Sequence, residues 1–133
     1  MKVHHFGLAV KDIERAAQTL KLFGYSVAEP VLDTTQGVSV LMATQPNGYP
    51  MELVCDIDEG GPTESIVKKM GPCFYHVCFE VDDLDSKISQ LSESGFLIRH
   101  KPASAAAFDD RRIAWMYSRD VGLVELLEAE CKE

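Results

Sequence analysis

The eight residues Phe74-Tyr75-His76-Val77-Cys78-Phe79-Glu80-Val81 alternate in character as a half-buried strand does. Side chains on a strand change face at every residue, so Tyr75, Val77, Phe79 and Val81 share one side, and Phe74, His76, Cys78 and Glu80 the other. An imidazole in mid-strand on the less apolar side is either a binding group or a cost. Taken alone it is more often a satisfied core or surface histidine. The chain carries the same device 71 positions earlier, at His5.

Sliding the chain by that interval lays His5 on His76, Gly7 on Cys78, Val10 on Val81 and Asp12 on Asp83. It also lays Ile13 on Leu84, Ala17 on Ile88, Leu20 on Leu91, Gly24 on Gly95 and Tyr25 on Phe96. Both copies read as a strand, an aspartate suited to cap a helix, and then apolar residues at helical spacing. Each helix closes on a glycine able to adopt a left-handed conformation, followed by an aromatic that starts the next strand. Chance supplies single matches of this kind; the ordered set points to duplication.

The first copy reads as strand 2–10, helix 12–23, a short strand 26–31 and a longer strand 37–44. The turn Gln45-Pro46-Asn47-Gly48-Tyr49 follows, and strand 51–57 closes the copy. The second reads as strand 74–81, helix 83–94, strands 96–101 and 111–118, a turn, and strand 123–129. Module one is thus about 2–57, the linker 58–73 and module two about 74–129, within one domain spanning 1–133. The linker holds a short amphipathic turn, Ser65 to Met70. The segment Lys101 to Asp110 reads as a small-residue loop, with His100 in the loop beside it. A loop of that length often covers a site, and a solvated connection explains it equally well.

A second alignment lays Met51-Glu52-Leu53 on Val124-Glu125-Leu126. Each module therefore offers one histidine on its first strand and one glutamate on its last. Both glutamates lie among aliphatic residues, where a carboxylate costs several kcal/mol unless paired, protonated or metal-bound. Two neutral imidazoles and two carboxylates neutralise a divalent ion and leave coordination positions open, as catalytic metals need. Zn²⁺, Ni²⁺, Co²⁺, Mn²⁺ and Fe²⁺ all accept such ligands, so the metal itself stays open. His4 is the rival to His5, but Tyr75 precedes His76, so the repeat selects His5. Alternation groups His4 with Phe6, Leu8 and Val10 on the helix-facing side.

The remaining composition narrows the function. A chain of 133 residues with 46% hydrophobic and 26% charged residues is an ordinary globular unit. Its net charge of −8 opposes unassisted binding to a phosphate backbone or an anionic membrane, so neither nucleic acid nor membrane is an expected partner. The opening MKVHHFGLAV has one lysine and too short an apolar run for a secretion signal. A cytoplasmic location is expected. The four cysteines form no CxxC pair; Cys55 and Cys78 read as small strand hydrophobes and Cys131 as a terminal thiol.

With these residues in view, the chain resembles the vicinal oxygen chelate superfamily, the glyoxalase, bleomycin-resistance and dioxygenase group, over about residues 2–129. HHFGLAV resembles the family's opening strand, PMELVCDID its second-ligand strand, FYHVCFEVDDL its third and RDVGLVELLE its last. The resemblance implies an α+β fold in which two βαβββ modules form a curled mixed sheet around a metal site. It places the metal on His5, Glu52, His76 and Glu125. Within the superfamily the phrasing is closest to the methylmalonyl-CoA epimerase group and its glyoxalase I-like relatives. Epimerases of that group carry a second acidic base where Val40 stands here. Bacterial glyoxalase I proteins hold glutathione through an arginine where Ala9 stands.

The resemblance further implies a lyase or isomerase that removes a proton beside a metal-polarised carbonyl of a small thioester or hemithioacetal. Methylmalonyl-CoA epimerase-like and lactoylglutathione lyase-like chemistry both fit that description. Glu125 or Glu52 would be the base, and Arg99, Lys101, Arg111 or Arg112 would hold a phosphate or carboxylate. Homodimerisation is implied as well. A metal-free antibiotic-sequestering protein and a non-haem iron dioxygenase are the alternatives; the full ligand set opposes the first, and the second glutamate the second.

Overall fold

Asp12 and Asp83 begin the two long helices, as the repeat predicts. In the computed structural model, which describes residues 1–131, Asp12 accepts a hydrogen bond from the Arg15 amide at 3.0 Å and Asp83 one from the Ser86 amide at 2.9 Å. Each bond satisfies an amide that the first helical turn leaves without an intrahelical partner. The helices are α1, Ile13–Lys21, and α3, Leu84–Glu93. Past their ends Gly24 (φ 85°) and Gly95 (φ 94°) take the left-handed turn that the sequence reserves for glycine.

The chain forms two compact units, His5–Tyr75, and Met1–His4 together with the chain from His76 onward. In the first, strand β1 (Lys2–Ala9) runs parallel to β5 (Met51–Asp56), which is antiparallel to β4 (Val38–Thr44). The far edge of β4 receives β2 (Ser26–Val27) and β3 (Val31–Asp33). Helix α1 packs Ile13, Ala16, Ala17 and Leu20 against Leu8, Val10, Leu41 and Leu53. Full burial of a side chain such as Leu53 contributes about 1.5–3 kcal/mol.

In the second unit, β6 (Cys73–Val81) runs parallel to β9 (Gly122–Glu128). Strand β8 (Arg112–Ser118) follows antiparallel to β9, and β7 (Leu97–Ser104) antiparallel to β8. Val81, Leu84, Ala114, Met116, Val124 and Leu126 form its core, joined by Val77 and Phe79 from β6 and by Ile88 and Leu91 from α3. The α+β class and the βαβββ-like order of each module are therefore as expected.

Four local expectations change. The single strand expected at 26–31 is two strands, because Pro30 has no amide to donate and the chain breaks between Val27 and Val31. Helix α2 (Glu64–Met70) has seven residues, about two turns where one was expected. It is preceded by a tight loop in which Asp56 accepts from the amide and hydroxyl of Thr63, at 3.0 and 2.9 Å. Strand β7 continues to Ser104, past its expected end at 101, so His100 is a strand residue rather than loop and the start of the expected 101–110 loop is strand. The remaining connection is short: the Ala105 amide bonds to the Arg111 carbonyl at 3.0 Å, around a 3-10 turn at Ala106–Phe108 that buries Phe108. Lastly, Leu8 and Val10 do meet α1, but Phe6 is exposed and meets Tyr49 edge-on at 5.8 Å.

Candidate metal centre

Each unit holds one histidine–glutamate pair, and the two pairs are built alike. In the first, Glu52 lies opposite Gly7 in the β1–β5 register, and His5 sits two residues before Gly7, hence on the same face. In the second, Glu125 lies opposite Cys78 in the β6–β9 register, with His76 two residues earlier. Parallel pairing of a first and a last strand thus brings a histidine beside a glutamate distant in sequence, once in each copy. All four are buried: relative exposure is 0% for His5, 4% for Glu52, 6% for His76 and 2% for Glu125.

The separations indicate what the pairs suit. His5 Nε2 stands 3.6 Å from Glu52 Oε2, and His76 Nε2 stands 4.0 Å from Glu125 Oε1. Both exceed the ~2.7–3.2 Å of a good hydrogen bond. Two ligands each ~2.1 Å from one ion are ~3 Å apart at right angles and ~4.2 Å apart when opposed, and both observed distances fall in that interval. Burial pushes the His5 imidazolium below its ordinary value of 6.5, with the Glu52 charge acting in the opposite direction. His5 is therefore held neutral at physiological pH, the form that binds metals. Each buried pair, an imidazole beside a carboxylate, offers donors of the kind that divalent cations accept.

Trp115 is a site residue that sequence reasoning missed. It lies directly opposite Glu125 on β8, and its ring meets His76 edge-on at 4.7 Å. Alternation along the strand groups it with Ile113 and Tyr117, but its pairing with Glu125 is a matter of long-range register that no local pattern carries. His4, the discarded rival, is half-buried and stands edge-on to Phe108 at 5.4 Å.

The four basic residues expected to bind substrate divide into two groups. Arg111 donates to Glu80 at 2.6 Å and to the Glu128 carbonyl at 2.7 Å. Arg112 meets Glu128 at 2.8 Å and Asp85 at 3.0 Å. These two arginines tie strands together and hold Glu80 and Glu128 below the ordinary carboxylate value. Arg99 and Lys101 are exposed on β7, with the Arg99 guanidinium 5.9 Å from the Tyr117 ring centre.

Comparison with known proteins adds to this geometry. The family model described as the Glyoxalase/Bleomycin resistance protein/Dioxygenase superfamily matches residues 4–115. An ethylmalonyl-CoA/methylmalonyl-CoA epimerase of Cereibacter sphaeroides is 28% identical over 130 residues, covering 94% of this chain and 96% of that protein. The mitochondrial methylmalonyl-CoA epimerase of Bos taurus is 31% identical over 132 residues, covering 96% of this chain and 74% of that protein. The crystal structure of methylmalonyl-CoA epimerase from Mycobacterium tuberculosis superposes with a TM-score of 0.86 at 23% identity, covering 98% of this chain and 89% of that one. This last likeness is one of fold.

Proposed function

The chain belongs to the glyoxalase/bleomycin resistance protein/dioxygenase superfamily, and from that premise we propose that it is a divalent-metal-dependent epimerase of a 2-substituted malonyl-CoA thioester. The observation that carries the reading is the repeated buried histidine–glutamate pair, at equivalent register in the two modules. His5, Glu52, His76 and Glu125 would hold one ion. When bound, a divalent cation polarises the carbonyl oxygen of the substrate and makes the adjacent C–H acidic.

The residues of the chain account for the rest. Glu125 takes the proton from the carbon between the two carbonyls. Glu52, protonated from solvent, delivers its proton to the opposite face of that carbon and inverts it, and both glutamates exchange protons with water before the next turnover. Val40 is buried in β4 and offers no acid, so the second proton carrier falls to Glu52. Ala9 is fully buried and offers nothing to a glutathione carboxylate, which favours the CoA thioester over a hemithioacetal. The proposal keeps the homodimer and the cytoplasmic location expected from the sequence; light scattering and cell fractionation check them. No helix among the described residues is long and apolar enough to cross a membrane.

The direct test is incorporation of solvent deuterium into methylmalonyl-CoA by protein stripped of metal and reloaded with each of Zn²⁺, Ni²⁺, Co²⁺, Mn²⁺ and Fe²⁺. Exchange that depends on metal supports the reading. Absence of exchange with every metal overturns it.

A further inference from the structure

Strand β7 does not follow β8 evenly. Leu97 lies opposite Tyr117 and Ile98 opposite Met116, but the next paired residue is His100, opposite Trp115. Two residues of β7, Arg99 and His100, thus stand against one of β8. A second shift follows before Ala103, opposite Ile113. A bulge bends its strand and re-aims the side chains it carries.

Those side chains fall on the face that holds His76 and Glu125. On β8, Ala114 and Met116 enter the core with α3, so Ile113, Trp115 and Tyr117 share the opposite face. Trp115 on that face touches His76 and pairs with Glu125. Arg99 lies over the Tyr117 ring, and His100 stands opposite Trp115. A row therefore crosses β9, β8 and β7, from Glu125 through Trp115 to Arg99 and His100. At ~4.8 Å per strand it spans about 10 Å. Exposure rises along it, from buried Glu125 through half-buried Trp115 to exposed Arg99 and His100.

Charge singles out the outer end. Arg111 and Arg112 are held by carboxylates, whereas Arg99, His100 and the neighbouring Lys101 make no ion pair among the described residues. In a chain of net charge −8, three consecutive basic residues on a bulged, solvent-facing edge favour an anionic ligand. Aromatic rings inward and basic groups outward, leading to a buried carboxylate, match an acyl group carried on a long arm with amides and a terminal phosphate.

We propose that the bulged rim of β7 binds the carrier arm of the thioester. Trp115 and Tyr117 form the floor under the arm, His100 donates a hydrogen bond to one of its amide carbonyls, and Arg99 meets its phosphate. This rests on the thioester reading above and extends it from the reacting carbon to the carrier.

Trp115 is the only tryptophan, so its fluorescence reports on this row. Free CoA and pantetheine, which lacks the phosphates, are titrated into the folded full-length chain and into H100A and R99A variants. Emission and isothermal calorimetry are the readouts, with melting curves to confirm folding. Both ligands should perturb Trp115. H100A should weaken both about tenfold, as loss of one hydrogen bond predicts, and R99A should weaken CoA alone, by less as salt rises. Wild-type affinity for CoA in both variants, or no binding of CoA to the wild type by either readout, overturns the rim. Deuterium exchange into methylmalonyl-CoA separates the two proposals. CoA binding that depends on Arg99 and His100 without exchange leaves the rim standing and removes the epimerase. Exchange with unaltered CoA binding in both variants does the reverse.

Discussion

The rings of His76 and Trp115 meet edge to face, 4.7 Å between centroids and 88° between planes. An indole packed in this way restricts the rotation of the imidazole, and groups that orient a ligand residue commonly change metal affinity 10- to 100-fold when lost. Replacing Trp115 by alanine should weaken metal binding by about that factor, and by phenylalanine by less. Competition with a chelating dye measures it, and equal affinity in all three proteins would remove this role from Trp115.

The ligand assignment makes a sharper demand. His76→Ala and Glu125→Ala should each abolish retention of stoichiometric metal while the far-ultraviolet circular dichroism stays that of a folded chain. Elemental analysis of the purified variants decides, and a variant that still holds one metal per chain shows that its residue is not a ligand.

The two glutamates should separate by isotope. With Glu52→Gln, Glu125 can still remove and return a proton on its own side, so one epimer should exchange with solvent while interconversion falls by about 10²-fold or more. Glu125→Gln should show the mirror pattern, with exchange confined to the other epimer. Loss of both exchange and interconversion in either variant would argue for a single base.

Acid stability should follow the ion pairs of the second unit. Glu80 is held below its ordinary value of 4.5, first by the Arg111 hydrogen bond and also by Lys2, and Glu128 is held below it by Arg112. A carboxylate depressed on folding contributes stability that is fully present above its unfolded value and is lost as pH falls through the folded one. Urea midpoints should therefore decline below about pH 4.5, and Glu80→Gln should flatten that decline while lowering the plateau above it. An unchanged slope in the variant would assign the acid sensitivity elsewhere.

A backbone site offers a test free of the metal. A β-carbon on Gly61 would collide with the Asp56 carboxyl group, which accepts the Thr63 amide and hydroxyl. Gly61→Ala should cost about 1–3 kcal/mol, read as a lower urea midpoint at unchanged slope, while metal binding per folded chain is unaltered.

The division between what the chain announces and what folding adds is clear at particular residues. His5, Glu52, His76 and Glu125 were legible because duplication repeats a local pattern, and local patterns survive in one dimension. The helix caps Asp12 and Asp83 and the closing glycines Gly24 and Gly95 were legible for the same reason, since each acts on neighbours within one turn. Trp115 was not, because nothing adjacent in sequence says that it stands opposite Glu125.

The sequence by itself determined the α+β order of the repeated halves and singled out His5, Glu52, His76 and Glu125 as candidate donors, all consequences of periodicity and spacing. Only tertiary structure decided that Arg111 and Arg112 brace strands through Glu80, Glu128 and Asp85, and that a bulge in β7 brings Arg99 and His100 alongside Trp115. The physical reason is that ion pairs and strand register join residues far apart along the chain, and a shift of one residue in register moves a side chain to the opposite face.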